Sequence, residues 1–150
     1  MRSVIQIHLE YKEDVIRDIE ISSTSNLEEL HYAIIMAFKL EKNELASFYV
    51  TNEDFELLQE IPLLSIDEEE NPMLRMNEVI ISSILTKQGS QLIYVYDFMK
   101  MWRFLITLTE RKENIISEPK CVKSVGEMPE NAPEITFEAE KEFDPFEGCL

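Results

Sequence analysis

Residues 15–38 read VIRDIEISSTSNLEELHYAIIMAF, and the change of period inside this stretch decides the fold. In its first part Val15, Arg17, Ile19 and Ile21 alternate with Ile16, Asp18 and Glu20, the two-residue period of a half-buried strand. In its second part Leu27, Leu30, Ile34, Ala37 and Phe38 keep three- and four-residue spacings, which gather those side chains on one side of an α-helix. Between the two, Ser25-Asn26-Leu27-Glu28 fits a capping box, with Ser25 as N-cap and Glu28 reaching back to it. The stretch is a strand that feeds a helix over 26–39.

On the N-terminal side, Ile5, Ile7 and Leu9 alternate with Gln6, His8 and Glu10, and the polar break Tyr11-Lys12-Glu13-Asp14 makes the two strands a hairpin. On the C-terminal side, 47–51 reads as a short strand. Pro62 and Pro72 then bracket Asp67-Glu68-Glu69-Glu70, a solvated run in a long loop. Val79–Leu85 is apolar, with room for one helical turn at Ser82-Ser83. Gln91–Asp97 is apolar on both faces, as an interior strand is, and pairs naturally with Arg103–Thr109. The proline-bearing stretch 110–133 reads as mostly irregular, Glu134–Glu140 alternates weakly, and 144–150 reads as a frayed tail. The fold class is α+β: β-β-α-β followed by a β-hairpin, with a mixed or antiparallel sheet and one main helix packed across it. A single domain is expected over 1–131, with an acidic segment over 132–150 that is partly ordered at best.

With 150 residues the chain is long enough to bury a core of its own. The net charge is −16, but residues 53–70 and 127–150 supply −8 and −7 of it, so the rest is nearly neutral. Residues 87–123 are slightly basic. A chain so poor in clustered Lys and Arg is a weak binder of nucleic acid, since affinity for phosphates rests on those side chains. Cys121 and Cys149 are too few for a disulfide scaffold, and the N-terminus lacks the apolar core of a signal peptide. A reducing, cytoplasmic setting is therefore expected.

Candidate chemistry is thin. His8 and His31 are isolated and the two cysteines lie far apart, so no zinc-ligand spacing exists and no metal or cofactor is implied. His8 reads as a polar strand residue and His31 as a helix residue at the edge of the core. The run Asp67–Glu70 lacks the alternation and glycine of a calcium loop. Lys120 and Lys123 flank Cys121 and could lower its pKa, but no partnering base is evident. The most distinctive feature is Tyr94-Val95-Tyr96-Asp97-Phe98-Met99-Lys100-Met101-Trp102-Arg103, which puts aromatics, the only tryptophan and two bases in one hairpin turn. Exposed Tyr, Trp and Arg anchor interfaces; buried, the same aromatics plug one end of the core. The core reading is the favoured one.

Three blocks together resemble the plasmid pRiA4b ORF-three-like family of small bacterial and archaeal proteins, some of which carry an insertion-element passenger label. They are Ile19-Glu20-Ile21 with Leu27-Glu28-Glu29-Leu30-His31, Ile34, Ala37 and Phe38; Ala46-Ser47-Phe48-Tyr49-Val50; and Tyr94-Val95-Tyr96-Asp97-Phe98 with Trp102. Pro119-Lys120-Cys121 through Gly126 and Pro129 is a fainter echo, and the similarity spans about residues 1–131. The chain departs where the family has glycine-aspartate (Met99-Lys100 here), where it has a histidine after the tryptophan (Arg103), and in its proline-rich block (Met128-Pro129-Glu130-Asn131). No ligand or catalytic role of those family positions is carried over. The resemblance implies an α+β fold and a cytoplasmic setting, without an established activity. The expected role is a non-enzymatic binding or adaptor protein that meets a protein partner through Tyr96, Asp97, Phe98, Trp102 and Arg103. The alternative is an accessory nucleic-acid factor or enzyme of mobile-element biology. No membrane contact is expected, and the sequence leaves the oligomeric state open.

Overall fold

A computed structural model describes residues 1–41, 44–52, 54, 56–63, 74–97 and 99–129. The strands are β1 (Arg2–Leu9), β2 (Ile16–Ser22), β3 (Ala46–Thr51), β4 (Leu57–Pro62), β5 (Gln91–Tyr96), β6 (Trp102–Lys112) and β7 (Lys120–Val125). The helices are α1 (Leu27–Phe38) and the single turn α2 (Ile81–Ile84), which a 3-10 turn at Met76–Glu78 precedes. All seven strands form one sheet in the order β4-β3-β5-β6-β1-β2-β7, antiparallel at every pairing. An α+β architecture with one main helix is what the alternating and helical periods imply.

Register explains the core. Ile5 pairs with Ile19 and Leu108, Ile7 with Ile106, Leu9 with Phe104, and Tyr94 with both Phe104 and Phe48. Those side chains therefore share one sheet face, and α1 covers it with Leu27, Leu30, Ile34 and Phe38, all buried. Each fully buried Leu, Ile or Phe contributes roughly 1.5–3 kcal/mol, so this face carries the stability of the domain. The apolar run at 79–85 closes the helix start. Leu27 N–H donates to the Val79 carbonyl (2.9 Å) and Ile81 N–H to the Ser25 carbonyl (2.8 Å). On the opposite face Glu20 lies between Arg2 (3.3 Å) and Lys112 (3.4 Å), which pairs its buried charge.

Four details differ from the sequence reading. The capping box is one residue later, with Asn26 as N-cap and Glu29 as its partner, because the Ser25 carbonyl is taken by Ile81. Strand β4 occupies 57–62, where two leucines, two polar residues, an isoleucine and a proline follow one another with no clear period. Strand β7 occupies 120–125, inside the stretch read as irregular; at the edge of the sheet it buries no face among the described residues. His31 is not at the core's edge but wholly buried. The stretches 67–70 and 132–150 lie outside the described residues.

The end of α1 is held from another strand. Its last turn contains no basic residue, yet helix C-termini favour a cation. Arg17 of β2 supplies it, with Nε donating to the Ala37 carbonyl (3.1 Å) and Nη1 donating to the carbonyls of Ile16 (2.9 Å) and Val125 (3.0 Å). Its guanidinium carbon stands 5.0 Å from the centroid of the Phe38 ring, a cation–π contact. One buried side chain thus ties the helix end to β7. Gly126, at φ +74°, lets the chain leave β7 against the hairpin turn, where an added Cβ would run into the Asp14 carbonyl oxygen.

Candidate functional site

The aromatic turn forms first in the chain's logic because β5 and β6 pair residue by residue, Tyr96 against Trp102. Both point to the helix side of the sheet and are buried. Asp97 organises the turn. It adopts φ +64°, and its Oδ1 accepts from the backbone N–H groups of Met99 (3.1 Å) and Lys100 (3.3 Å). Tyr96, Asp97 and Trp102 meet Phe38, Lys39 and Lys100 around a cleft of about 150 Å³ that Met128 and Pro129 also line. That is small beside the several hundred Å³ of a typical ligand site. The Tyr96 hydroxyl has no hydrogen-bond partner among the described residues. Burial, with the negative charges of Glu44, Asp97 and Glu41, pushes its pKa up to about 12, so it is a neutral phenol. Arg103 is not part of this cleft. It alternates to the opposite sheet face, where its Nε pairs with Glu10 at 3.1 Å. Phe98 lies outside the described residues.

A second polar feature sits inside the core. His31 Nδ1 and the Tyr94 hydroxyl are 2.7 Å apart, and both residues are fully buried. Desolvation lowers the His31 pKa to about 4 and raises that of Tyr94 well above its ordinary value. Both are therefore neutral at pH 7. The phenol can donate or accept, so the direction of the bond follows the imidazole tautomer. The other ring nitrogen, His31 Nε2, has no hydrogen-bond partner among the described residues. The arrangement is a core hydrogen bond with no nucleophile beside it, which makes it structural in kind.

The larger concavity was not singled out by the sequence. Helix α1 and strand β7 do not touch closely, and a groove of about 510 Å³ runs between them. Tyr32, Ala33, Met36 and Ala37 form the helix wall, and Ile19 and Cys121 lie on the sheet side. Glu29, Glu118 and the start of β7 at Lys120 border it. Met36 is 72% exposed and Tyr32 44% exposed, a large apolar pair left in water. The signal in the sequence is a second stripe on α1: Glu29, Tyr32, Ala33 and Met36 follow the same three- and four-residue spacing as the core stripe, one step round the helix. The free thiol of Cys121 is exposed and donates to the Lys123 carbonyl at 3.3 Å.

Along this groove β7 is the terminal strand of the sheet, and all six of its residues are exposed. Its register places Cys121 opposite core-facing Ile19, and Lys120 and Lys123 opposite Glu20 and Asp18. One side of β7 therefore faces the groove, and the other carries two lysines that form no ion pair among the described residues. Among the described residues no three His, Cys, Asp or Glu side chains converge as metal ligands, and no helix is long and apolar enough to cross a membrane.

A family model described as plasmid pRiA4b ORF-3-like protein matches residues 2–136. A crystal structure of a protein of unknown function from Methanosarcina mazei Go1 superposes with a TM-score of 0.66 at 20% identity. The match covers 82% of this chain and 68% of that one, and at this identity it speaks for the fold alone. No curated protein matches the chain.

Proposed function

The chain belongs to the plasmid pRiA4b ORF-3-like family, and from that premise we propose that it is a non-enzymatic, cytoplasmic adaptor that binds an extended segment of a protein partner. The observation that carries this reading is the edge of β7, which no other strand covers among the described residues, beside the apolar α1–β7 groove. A terminal strand presents unpaired backbone N–H and C=O groups, and an extended peptide satisfies them by adding a strand. Alternate side chains of that peptide would enter the groove against Tyr32, Met36 and Cys121, while the others meet Lys120 and Lys123. Backbone pairing then supplies affinity, and the groove supplies selectivity. The Tyr96–Trp102 cleft is a weaker candidate for the same partner, since its aromatics already belong to the core.

Selection of a phage-displayed peptide library on the full chain tests this. The expected clones alternate apolar with acidic residues and lose binding to Met36→Glu, a substitution at an exposed position that leaves the fold intact. Clones that bind wild type and Met36→Glu equally would place the interaction elsewhere. Binding of DNA or RNA that weakens steeply with salt, without any peptide preference, would instead favour the mobile-element alternative.

A further inference from the structure

The cleft between Tyr96 and Trp102 holds two buried polar groups that the fold leaves without full partnership. Asp97 is 6% exposed and lines the cleft. Its Oδ1 accepts the N–H groups of Met99 and Lys100, whereas its Oδ2 accepts no hydrogen bond among the described residues. Lys39 and Lys100 line the same cleft, yet neither forms an ion pair with Asp97 among the described residues. Beside it Tyr96 is 2% exposed, and its hydroxyl has no partner among the described residues. The charges that act on that hydroxyl, those of Glu44, Asp97 and Glu41, are all negative. A buried carboxylate without a cation and a buried hydroxyl without a hydrogen bond both cost stability, and one positively charged donor relieves both. A bare metal ion is poorly suited, since hard cations take several oxygen ligands and the remaining walls are Phe38, Leu40, Trp102, Met128 and Pro129. Such walls suit an apolar stem, and aromatic rings attract a cation.

We propose that this cleft is a binding site for a primary alkylammonium group, its N–H groups donating to Asp97 Oδ2 and to the Tyr96 hydroxyl oxygen and its stem lying against Phe38, Trp102 and Met128. The volume of about 150 Å³ limits the occupant to about the size of benzene. A free small amine and the end of a lysine side chain share this chemistry. The site does not depend on how β7 is used.

Trp102 is the only tryptophan and lines the cleft, so it reports on occupancy. The experiment is titration of the full chain with n-butylammonium, followed by Trp102 fluorescence and by the NMR shift of its indole N–H. Saturable binding is expected. Butanol and butyrate, equal in length but neutral or negative, are expected to bind about tenfold more weakly or worse. Asp97→Asn keeps the turn without the charge, and Tyr96→Phe keeps the ring without the hydroxyl; each is expected to weaken binding about tenfold. A lysine blocked at both its α-amino and carboxyl groups separates the two sources, and both outcomes support an ammonium site. Binding as tight as that of n-butylammonium points to a partner's lysine, and weaker binding points to a free amine. Butanol or butyrate binding as tightly as n-butylammonium overturns the proposal. So does equal affinity in Asp97→Asn, or no response of Trp102 by either measurement up to about 0.1 M amine.

Discussion

Replacing Arg17 with methionine removes a guanidinium while keeping most of the buried stem. Three carbonyls lose a charged donor: Ala37 at the end of α1, Ile16 in β2 and Val125 in β7. A hydrogen bond to a charged group contributes roughly 1.5–3 kcal/mol, but the three do not add. Val125 is 37% exposed, so its carbonyl can recover water; Ala37 is the one left beside the Phe38 ring. Loss of the cation at a partly buried helix end costs up to about 2 kcal/mol, and the contact with Phe38 about 1 kcal/mol more. The expected destabilisation is about 2–4 kcal/mol. With a urea slope of about 2 kcal/mol/M, the midpoint of equilibrium unfolding falls by roughly 1–2 M. Arg17→Lys should lie between, because an ammonium keeps the charge but cannot reach three carbonyls in the fork geometry. Hydrogen exchange gives a local readout: β7 amides should lose more protection than those of β1 or β6. A midpoint shift below about 0.3 M would refute the reasoning, since no reading of three charge-assisted bonds survives so small a change.

Other expectations follow from the same geometry. His31 is neutral in the fold with its pKa lowered to about 4, so it binds its proton in the unfolded chain first. Its contribution to stability is present above the ordinary histidine value and is lost as pH falls from about 6.5 toward about 4; an imidazole NMR titration showing a midpoint above about 6 would contradict this. Tyr94→Phe keeps the ring packing against Phe48 and Phe104 but strands His31 Nδ1, at a cost of about 1–3 kcal/mol by urea unfolding. Gly126→Ala forces a side chain into the Asp14 carbonyl at positive φ, and should cost more than about 1 kcal/mol and deprotect the end of β7 in hydrogen exchange. Asp97→Ala removes two turn hydrogen bonds at φ +64° and is expected to cost about 1–2 kcal/mol, whereas Asp97→Asn, which tolerates that conformation, should be nearly neutral.

Periodicity reveals the elements that have two unlike faces. β1, β2, α1 and β6 each bury one stripe and β5 buries a continuous run, so their bounds are readable within one to three residues. β4 and β7 are the two outermost strands, and β7 buries nothing among the described residues; an exposed edge strand imposes no alternation on its sequence, so 120–125 reads as loop. The site divides in the same way. Tyr96, Asp97 and Trp102 were found because aromatic residues crowd one turn, and they do converge. Arg103, one position beyond Trp102, necessarily points to the other face of the sheet. The groove is not legible in the sequence because its walls come from residues 32–37 and 118–121, far apart in sequence and brought together by the β2–β7 pairing. Met36 and Tyr32 carried a local hint, but one helix stripe alone does not say that nothing covers it.

The lysines of β7 bear on which strand can pair there. Lysine on an edge strand is a common guard against self-association, because identical edges bring like charges together. In an antiparallel pairing of two β7 strands, Lys120 and Lys123 of both copies would crowd a single sheet face, a destabilising arrangement. A strand with acids on that face turns the same two charges from a barrier into a contact. On the proposed reading the edge disfavours a copy of itself and favours an acidic alternating segment. Charge reversal separates the two effects: Lys120→Glu with Lys123→Glu should weaken binding of acidic selected peptides about tenfold or more at low salt, and high salt should erase most of the difference. If the reversed protein binds those peptides as well as wild type does, backbone pairing and the groove alone govern recognition, and the lysines serve only as a guard.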